Sequence, residues 1–233
     1  MFRYKNKSLS RVESFIEDEH GVTYFPIAKP SAGFSADNRF FGRINEKNFL
    51  VKRPKYYDKF GEFNAQQIKQ IDKAQEESYR LECERWNLVY PNNKACLFTE
   101  DGLRLVLPCL PGKNLSECLS DDELIRCKQL LSVAYAIQKF HNLGFTYTDF
   151  NLDNVLLEEK SEGVFQAYLI DFNDLDTLKD HMGAKQELCA ISHLLPGADW
   201  HLQFNSSEKL ISYLTDKIEQ LENCPQERSD FGL

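Results

Sequence analysis

The sequence lacks the features that mark several specialised classes of protein. None of its apolar runs approaches about 18 residues, so it predicts no transmembrane helix. Its first residues, MFRYKNKSLSRVESF, contain no apolar segment of the kind that a Sec-type signal peptide requires. It has no internal repeat and no low-complexity tract. We therefore expect a globular chain of 233 residues, folded as one domain or as one domain of two lobes.

The cysteines do not form the pattern of a disulfide framework or a zinc site. There are seven, an odd number, and no two have the C-x-x-C spacing. We expect buried free thiols in a reducing compartment, which is typical of the cytoplasm.

Acidic residues outnumber basic ones, 36 to 28, and the two kinds are unevenly distributed. The net charge of −8 argues against nucleic-acid binding. Residues 1–73 carry 14 Lys and Arg against 9 Asp and Glu, whereas residues 74–233 carry 14 against 27. A basic first part and an acidic second part indicate two lobes with different roles.

Hydrophobic periodicity predicts a small β-rich part that contains one long helix, Phe63–Trp86. The predicted strands of this part are Val22–Ala28, Phe40–Ile44, Asn48–Val51, Lys94–Phe98 and Leu103–Leu107. Pro108, Pro111 and Gly112 then break the pattern and predict a linker.

The second part is predicted to be mostly helical. Its first helix begins at a cap, Ser120 or Asp121, and ends at Gly144. Two short apolar runs follow that can pair as a hairpin, and two further helices complete the chain. These four elements are Val155–Leu157, Ala167–Ile170, Glu187–Leu195 and Ser207–Asn223.

The most informative segment runs from Phe140 to Asp176. Asp149 follows a helix and a turn, Asn154 comes five residues later before an apolar strand, and a second strand ends at Ile170-Asp171-Phe172. This order resembles the catalytic loop and the metal-binding loop of the protein-kinase-like superfamily. Asp230-Phe231-Gly232 spells a similar metal-loop motif, but it follows no predicted strand, and we interpret it as a polar tail.

The resemblance covers residues 32–195 and implies a bilobal α+β fold. Its small β-rich N-lobe would be residues 1–110, and its truncated, mostly helical C-lobe would be residues 111–233. It further implies ATP as phosphate donor and Mg²⁺ or Mn²⁺ as cofactor. Mg²⁺ prefers hard oxygen ligands, which Asp171 and Asn154 would supply. Asp149 would orient the attacking hydroxyl or accept its proton.

The same resemblance assigns roles in the N-lobe. Lys52 in FLVK corresponds to the lysine that holds the α- and β-phosphates, and Glu77 is our predicted partner for it, with Glu76 as the alternative. The phosphate loop would be Gly33, Phe34 and Ser35, which keeps only one of the family's usual glycines. Its backbone N–H groups can still approach a phosphate. The hinge that meets the adenine would be Pro108, Cys109 and Leu110.

Three departures from the family pattern bear on function. Tyr147-Thr148-Asp149 replaces His-Arg-Asp, and Asn173 replaces a glycine. The stretch between Asn173 and the helix predicted at Glu187 is too short for a regular activation segment and its peptide-docking platform.

These observations leave three principal readings. The first is an atypical protein kinase, similar to the small effector kinases that bacterial pathogens secrete into the host-cell cytosol, with a protein substrate and a host activator. The second is a small-molecule or lipopolysaccharide-sugar kinase. The third is a nucleotide-binding pseudokinase, and AMP transfer on the same scaffold is a smaller alternative. An acidic activator or polyanion would bind a basic N-lobe strip of Arg39, Arg43, Lys47, Arg53, Lys55 and Lys59.

Overall fold

The computed structural model describes residues 3–4, 16–17, 23–26, 37–44, 47–54, 64–99, 103–147, 150–172, 175–177, 181–195 and 204–223. The chain divides into two compact units, Met1–Cys109 and Leu110–Leu233. Each unit mixes helices with antiparallel strands, as an α+β fold requires.

A seven-stranded antiparallel sheet forms the frame of the first unit. Its strands are β1 (Arg3–Tyr4), β2 (Ile16–Glu17), β3 (Thr23–Pro26), β4 (Asp37–Ile44), β5 (Lys47–Pro54), β6 (Cys96–Phe98) and β7 (Arg104–Pro108). The strand order is β1-β2-β3-β4-β5-β7-β6, so β5 lies between β4 and β7. Val51, Leu105 and Leu107 are buried in this part of the sheet.

One long helix, α1 (Ala65–Val89), completes the first unit. It begins at Asn64, whose side chain accepts hydrogen bonds from the N–H groups of Gln66 and Gln67, while the Gln67 side chain accepts from the N–H of Asn64. This reciprocal capping box satisfies N–H groups that the first helical turn leaves without partners. The buried stripe of α1 is Tyr79, Glu82, Trp86 and Val89.

The second unit is built around α3 (Glu123–Asn142), which begins after the Asp122 cap. The helix ends shortly before Gly144, a residue with a positive φ of 82°. Its inner face, including Leu130, Val133 and Ile137, is fully buried. The other helices are a short α2 (Leu115–Cys118), α4 (His181–Ser192) and α5 (Ser207–Asn223).

Two small antiparallel sheets accompany these helices. The strands are β8 (Lys113–Asn114), β9 (Phe145–Tyr147), β10 (Val155–Ser161), β11 (Val164–Leu169) and β12 (Leu175–Thr177). Strand β10 lies between β11 and β8, and β12 pairs with β9. A single 3₁₀ turn, Leu152–Asn154, leads directly into β10.

Most elements predicted from the sequence are present, with shifted ends. The first helix of the second unit is capped by Asp122 rather than Ser120 or Asp121, because the Asp122 carboxylate accepts the N–H of Ile125. Helix α4 begins six residues earlier than predicted, at His181. No helix among the described residues is long and apolar enough to cross a membrane.

The cysteines differ in part from the expected buried thiols. The six that the structure describes are all free, but Cys96 and Cys189 are exposed. Burial raises the pKa of the Cys109 thiol and is the first cause of the raised pKa of Cys127. Cys224 lies outside the described residues.

Candidate active site

A buried ion pair marks the first unit. Lys52 lies on β5, and its Nζ is 2.6 Å from Oε1 of Glu82 on α1. The Lys52 side chain is 2% exposed and the Glu82 side chain is fully buried. A buried ammonium requires such a partner, because an isolated charge pays a large desolvation cost.

The predicted partner of Lys52 is therefore wrong. Glu77 and its alternative Glu76 are both exposed, and Lys52 pairs with Glu82 instead. Five helical residues correspond to a rotation of about 140°, which places Glu77 well away from the face that carries Glu82. The signal was available in the sequence, since Glu82 falls within the stripe of Tyr79, Trp86 and Val89.

The predicted hinge, Pro108, Cys109 and Leu110, begins at the last residue of β7. Pro108 ends this strand, and the N–H of Cys109 donates to the carbonyl of Asn48 over 3.0 Å. This hydrogen bond continues the pairing of β5 with β7. A nucleotide contact at Cys109 would therefore have to use its carbonyl rather than its N–H group.

The second unit brings the two predicted metal ligands to one end of a hairpin. Asn154 immediately precedes β10 and Asp171 closely follows β11, and Val155 pairs with Leu169. The carbonyl of Asn154 accepts the N–H of Ile170 over 2.9 Å, which extends the pairing by one residue. The backbones of the catalytic-loop and metal-loop segments are thus tied together next to both proposed ligands.

Local hydrogen bonds shape the turn before Asn154. The Asn151 side chain accepts from the N–H groups of Asp153 and Asn154, each over 3.0 Å. Asp153 is exposed, and its carboxylate lies 2.5 Å from the Ser116 hydroxyl on α2. Asn151 therefore acts as the cap of the 3₁₀ turn, a common role of Asn side chains.

Asp171 has an unusual backbone conformation. Its φ is 68°, and it is the only non-glycine residue with positive φ in the described part of the chain. Such a conformation costs free energy for residues other than glycine, although Asp and Asn tolerate it best. Residues held in this way are concentrated at functional sites.

Tyr147 holds the backbone at this position. Its hydroxyl donates to the carbonyl of Asp171 over 2.8 Å and also to the carbonyl of Ile170. Its ring is 2% exposed and makes edge contacts with Phe140 and Phe172. Tyr147 stands where the family pattern has a histidine, and its side chain connects β9 to the metal-binding loop.

A second ionisable pair, Glu187 and His141, lies next to the backbone of Tyr147. The carboxylate of Glu187 on α4 accepts the N–H of Tyr147 and lies 2.7 Å from Nε2 of His141 on α3. The Glu187 side chain is fully buried. Burial raises the pKa of Glu187 above its usual range, and His141 opposes that shift.

Several predicted site residues cannot be placed. Asp149, the proposed catalytic residue, and Gly33, Phe34 and Ser35 of the proposed phosphate loop lie outside the described residues. Arg53, a member of the predicted basic strip, is only 4% exposed and does not fit a solvent-facing strip. Lys55 and Lys59 also lie outside the described residues.

The donor set of the second unit fits a hard metal ion. Asp171 offers a carboxylate and Asn154 an amide oxygen, both of the type that Mg²⁺ and Mn²⁺ prefer. No group of three His, Cys, Asp or Glu residues suited to a metal occurs within the described ranges. An ion at this place would therefore need further oxygen ligands, such as phosphate oxygens or water.

Solved structures of kinases resemble most of the chain. The bifunctional kinase-methyltransferase WbdD matches with a TM-score of 0.52 and 21% identity, covering 88% of this chain and 48% of that one. The Rio2 kinase from Chaetomium thermophilum, in an ADP/Mg²⁺-phosphoaspartate complex, matches with a TM-score of 0.54 and 10% identity, covering 84% of this chain and 71% of that one. The chain has a protein-kinase-like fold.

This fold confirms the predicted α+β class and the predicted resemblance to the protein-kinase-like superfamily. The chain spans about half the length of the WbdD chain that it matches. The family model for lipopolysaccharide kinases (Kdo/WaaP) matches residues 105–186, which include the whole segment from β9 to β12. No curated protein matches the sequence.

Proposed function

We propose that this protein is a phosphotransferase that moves the γ-phosphoryl group of ATP to a hydroxyl acceptor with the help of Mg²⁺ or Mn²⁺. The observation that carries the proposal is the pairing of Asn154 with Ile170, which joins the two loops that bear Asn154 and Asp171. The kinase fold and the kinase family match support the same chemistry. A buried Lys52–Glu82 pair provides a fixed cation of the kind that phosphate positioning requires.

Each residue has a definite role in this proposal. Asp171 and Asn154 would hold the metal ion, which neutralises charge on the phosphates when bound. Lys52, oriented by Glu82, would hold phosphate oxygens. Asp149 would orient the acceptor hydroxyl and take its proton. The hinge residues Pro108, Cys109 and Leu110 and the loop residues Gly33, Phe34 and Ser35 would contact the rest of the nucleotide.

Transfer of label from γ-labelled ATP tests the proposal. We expect transfer in the presence of Mg²⁺ or Mn²⁺ and a loss of about 100-fold or more in Asp171→Asn, which keeps the side-chain size but removes the charge. Asp121→Asn is the matched control, because Asp121 is exposed on the surface of the same unit. A wild-type rate in Asp171→Asn would contradict the assignment of the metal loop.

The acceptor that we favour is a saccharide hydroxyl of the kind found in lipopolysaccharide. The family match to lipopolysaccharide kinases supports this choice. So does the short path from the metal loop to α4, which is occupied by β12 paired with β9 and leaves little chain for a peptide platform.

A protein hydroxyl is the second candidate acceptor, and the same assay separates the two. Label on lipopolysaccharide-core saccharide, dependent on Asp171, would support a sugar kinase. Label on protein from a eukaryotic cell extract would support the atypical protein kinase, and a requirement for boiled extract would support a heat-stable activator. ATP binding without transfer to water or to any acceptor would instead support a pseudokinase.

A further inference from the structure

We propose that Cys83 and Cys96 form a redox-sensitive thiol pair, which closes to a disulfide between α1 and β6 when the protein is exposed to hydrogen peroxide. Cys83 lies on α1 and Cys96 is the first residue of β6, so the pair joins two elements of the first unit. Both are free thiols in this structure. The inference does not rest on the proposed phosphoryl transfer, because neither cysteine has a role in it.

One asparagine side chain connects the two segments that carry the thiols. Asn87 lies one helical turn after Cys83, and its Nδ2 donates to the Cys83 Sγ over 3.6 Å. The Asn87 Oδ1 accepts the N–H of Ala95 over 2.7 Å, and its Nδ2 lies 3.3 Å from the Ala95 carbonyl. Ala95 directly precedes Cys96. The Asn87 amide therefore contacts one cysteine and the neighbour of the other.

The turn between α1 and β6 is also held in place. The indole N–H of Trp86, in the buried stripe of α1, donates to the Asn93 carbonyl over 2.7 Å. The Asn93 N–H in turn donates to the Tyr90 carbonyl over 2.9 Å. These bonds fix the course of the chain from the end of the helix to the start of the strand, so the fold itself brings Cys96 back towards Cys83.

The two thiols differ in exposure and are close enough to interact. Cys96 is exposed, whereas Cys83 is half-buried. Burial is the first cause of the raised pKa of Cys83, and the neighbouring Cys96 is the second. Oxidation of a thiol depends on its access to the oxidant and on its thiolate fraction. We therefore assign the first reaction with peroxide to Cys96 and the resolving step to Cys83.

The proposed reaction takes place in two steps. The Cys96 thiolate attacks one oxygen of hydrogen peroxide, the O–O bond breaks, and the departing hydroxide takes up a proton as water. This leaves Cys96 as a sulfenic acid. The Cys83 sulfur then attacks the Cys96 sulfur, the S–S bond forms, and the hydroxyl group leaves as water with the proton of Cys83. Together the two sulfurs lose two electrons, which the peroxide gains.

The position of the link gives it a structural consequence. Cys83 directly follows Glu82, the buried partner of Lys52. A disulfide at Cys83 would tie the helix that carries Glu82 to the sheet and restrict its movement. In reducing compartments disulfides are usually transient and serve redox sensing or catalysis. The pair therefore fits a reversible modification better than a permanent structural bridge.

Peptide mapping of the oxidised full chain tests the proposal. The protein is treated with hydrogen peroxide at low concentration, its remaining thiols are alkylated, and it is digested with trypsin without reduction. Because trypsin cleaves after Lys and Arg, Cys83 falls in residues 81–85 and Cys96 in residues 95–104. We expect a linked peptide of these two segments, lighter than their sum by two hydrogen atoms and lost on reduction.

Two serine variants provide the controls for this experiment. Cys83→Ser should lose the linked peptide and leave Cys96 as a sulfenic acid or its further oxidation products. Cys189→Ser should keep it, because Cys189 is exposed like Cys96 but lies on α4 in the other unit. Oxidation of wild-type Cys96 to sulfinic acid without any linked peptide would overturn the proposal. So would a disulfide between two copies of the chain, seen as a dimer on a non-reducing gel.

A second comparison tests whether the fold prepares the pair. Asn87→Ala removes the side chain that connects the two segments, and we expect it to form the linked peptide at least about 10-fold more slowly, because small displacements of reacting groups slow a reaction strongly. Leu88→Ala, at an exposed position of the same helix, should keep the wild-type rate. Equal rates in the two variants would show that Asn87 does not position the thiols.

Discussion

Lys52 and Glu82 are single residues whose burial is informative about function. The free energy lost when two charges are removed from water can exceed the free energy gained from their attraction. An apolar pair of similar volume would therefore often be as stable. The pair is nevertheless almost completely inaccessible to solvent. A fixed cation is useful where a phosphate must be held, which agrees with the proposed role of Lys52.

Glu82→Gln should strongly destabilise the first unit. It removes the charge of the carboxylate that lies 2.6 Å from the buried Lys52 ammonium, and breaking such a pair costs about 3–5 kcal/mol. Glu77→Gln, on the exposed face of the same helix, should change the free energy of unfolding by less than about 0.5 kcal/mol. Urea denaturation of the two variants makes the comparison. Equal stabilities would show that Glu82 is not an essential partner of Lys52.

The same residues show where reasoning from sequence stops. Asp171 and Asn154 could be proposed because their motif is local, with short and regular spacing around a hairpin. Glu82 could have been found from the stripe that it shares with Tyr79 and Trp86, but counting residues along the chain selected Glu77 instead. Glu187 gave no local signal at all, because its partners Tyr147 and His141 lie 40 and 46 residues away.

At the scale of elements, the segment before α2 depends on a glycine. Gly112 has φ 111°, and a Cβ atom on it would lie 2.5 Å from the carbonyl oxygen of Leu157 on β10. The chain can therefore approach β10 and form β8 only because residue 112 has no side chain. The longer helices and strands were predicted from their periodicity, whereas the short strands β1, β2, β8, β9 and β12 were not. A close approach between distant segments leaves no periodic pattern at all.

Gly112→Ala should destabilise the second unit more than Gly144→Ala. Both glycines have positive φ, so both variants incur backbone strain, which is about 1–2 kcal/mol for a residue in the left-handed helical region. Only Gly112→Ala adds a clash with backbone, since nothing lies within 4 Å of a Cβ at Gly144. Thermal unfolding of the two variants provides the measurement. Equal losses of stability would mean that β10 can shift away from the new Cβ atom without loss of free energy.

At the scale of the whole molecule, the chain divides into two units, Met1–Cys109 and Leu110–Leu233. Each unit has its own buried residues, such as Leu105 and Trp86 in the first and Leu130 and Ile137 in the second. The charge asymmetry along the sequence pointed to two parts, and the proline- and glycine-containing break at residues 108–112 pointed to their boundary.

Bound nucleotide should stabilise the folded chain, and metal should increase this effect. At a concentration of 100 times its Kd, a ligand adds about 2.7 kcal/mol, which corresponds to a rise in Tm of about 5 to 10 °C for a chain of this size. We expect ADP with Mg²⁺ to raise the Tm of the wild type more than ADP alone at equal concentration. In Asp171→Asn the two shifts should coincide. A larger shift with Mg²⁺ in that variant would place the metal elsewhere.

The left-handed backbone of Asp171 also has an evolutionary consequence. The residues best tolerated at that φ are Gly, Asn and Asp, and codons for both Gly and Asn are reached from an Asp codon by changing a single nucleotide. Most substitutions at this position would damage the fold together with the chemistry, but these two would spare the fold. A lineage that no longer needed phosphoryl transfer could therefore keep a stable nucleotide-binding protein after one mutation, and Gly or Asn at this position in a relative would be the trace of that event.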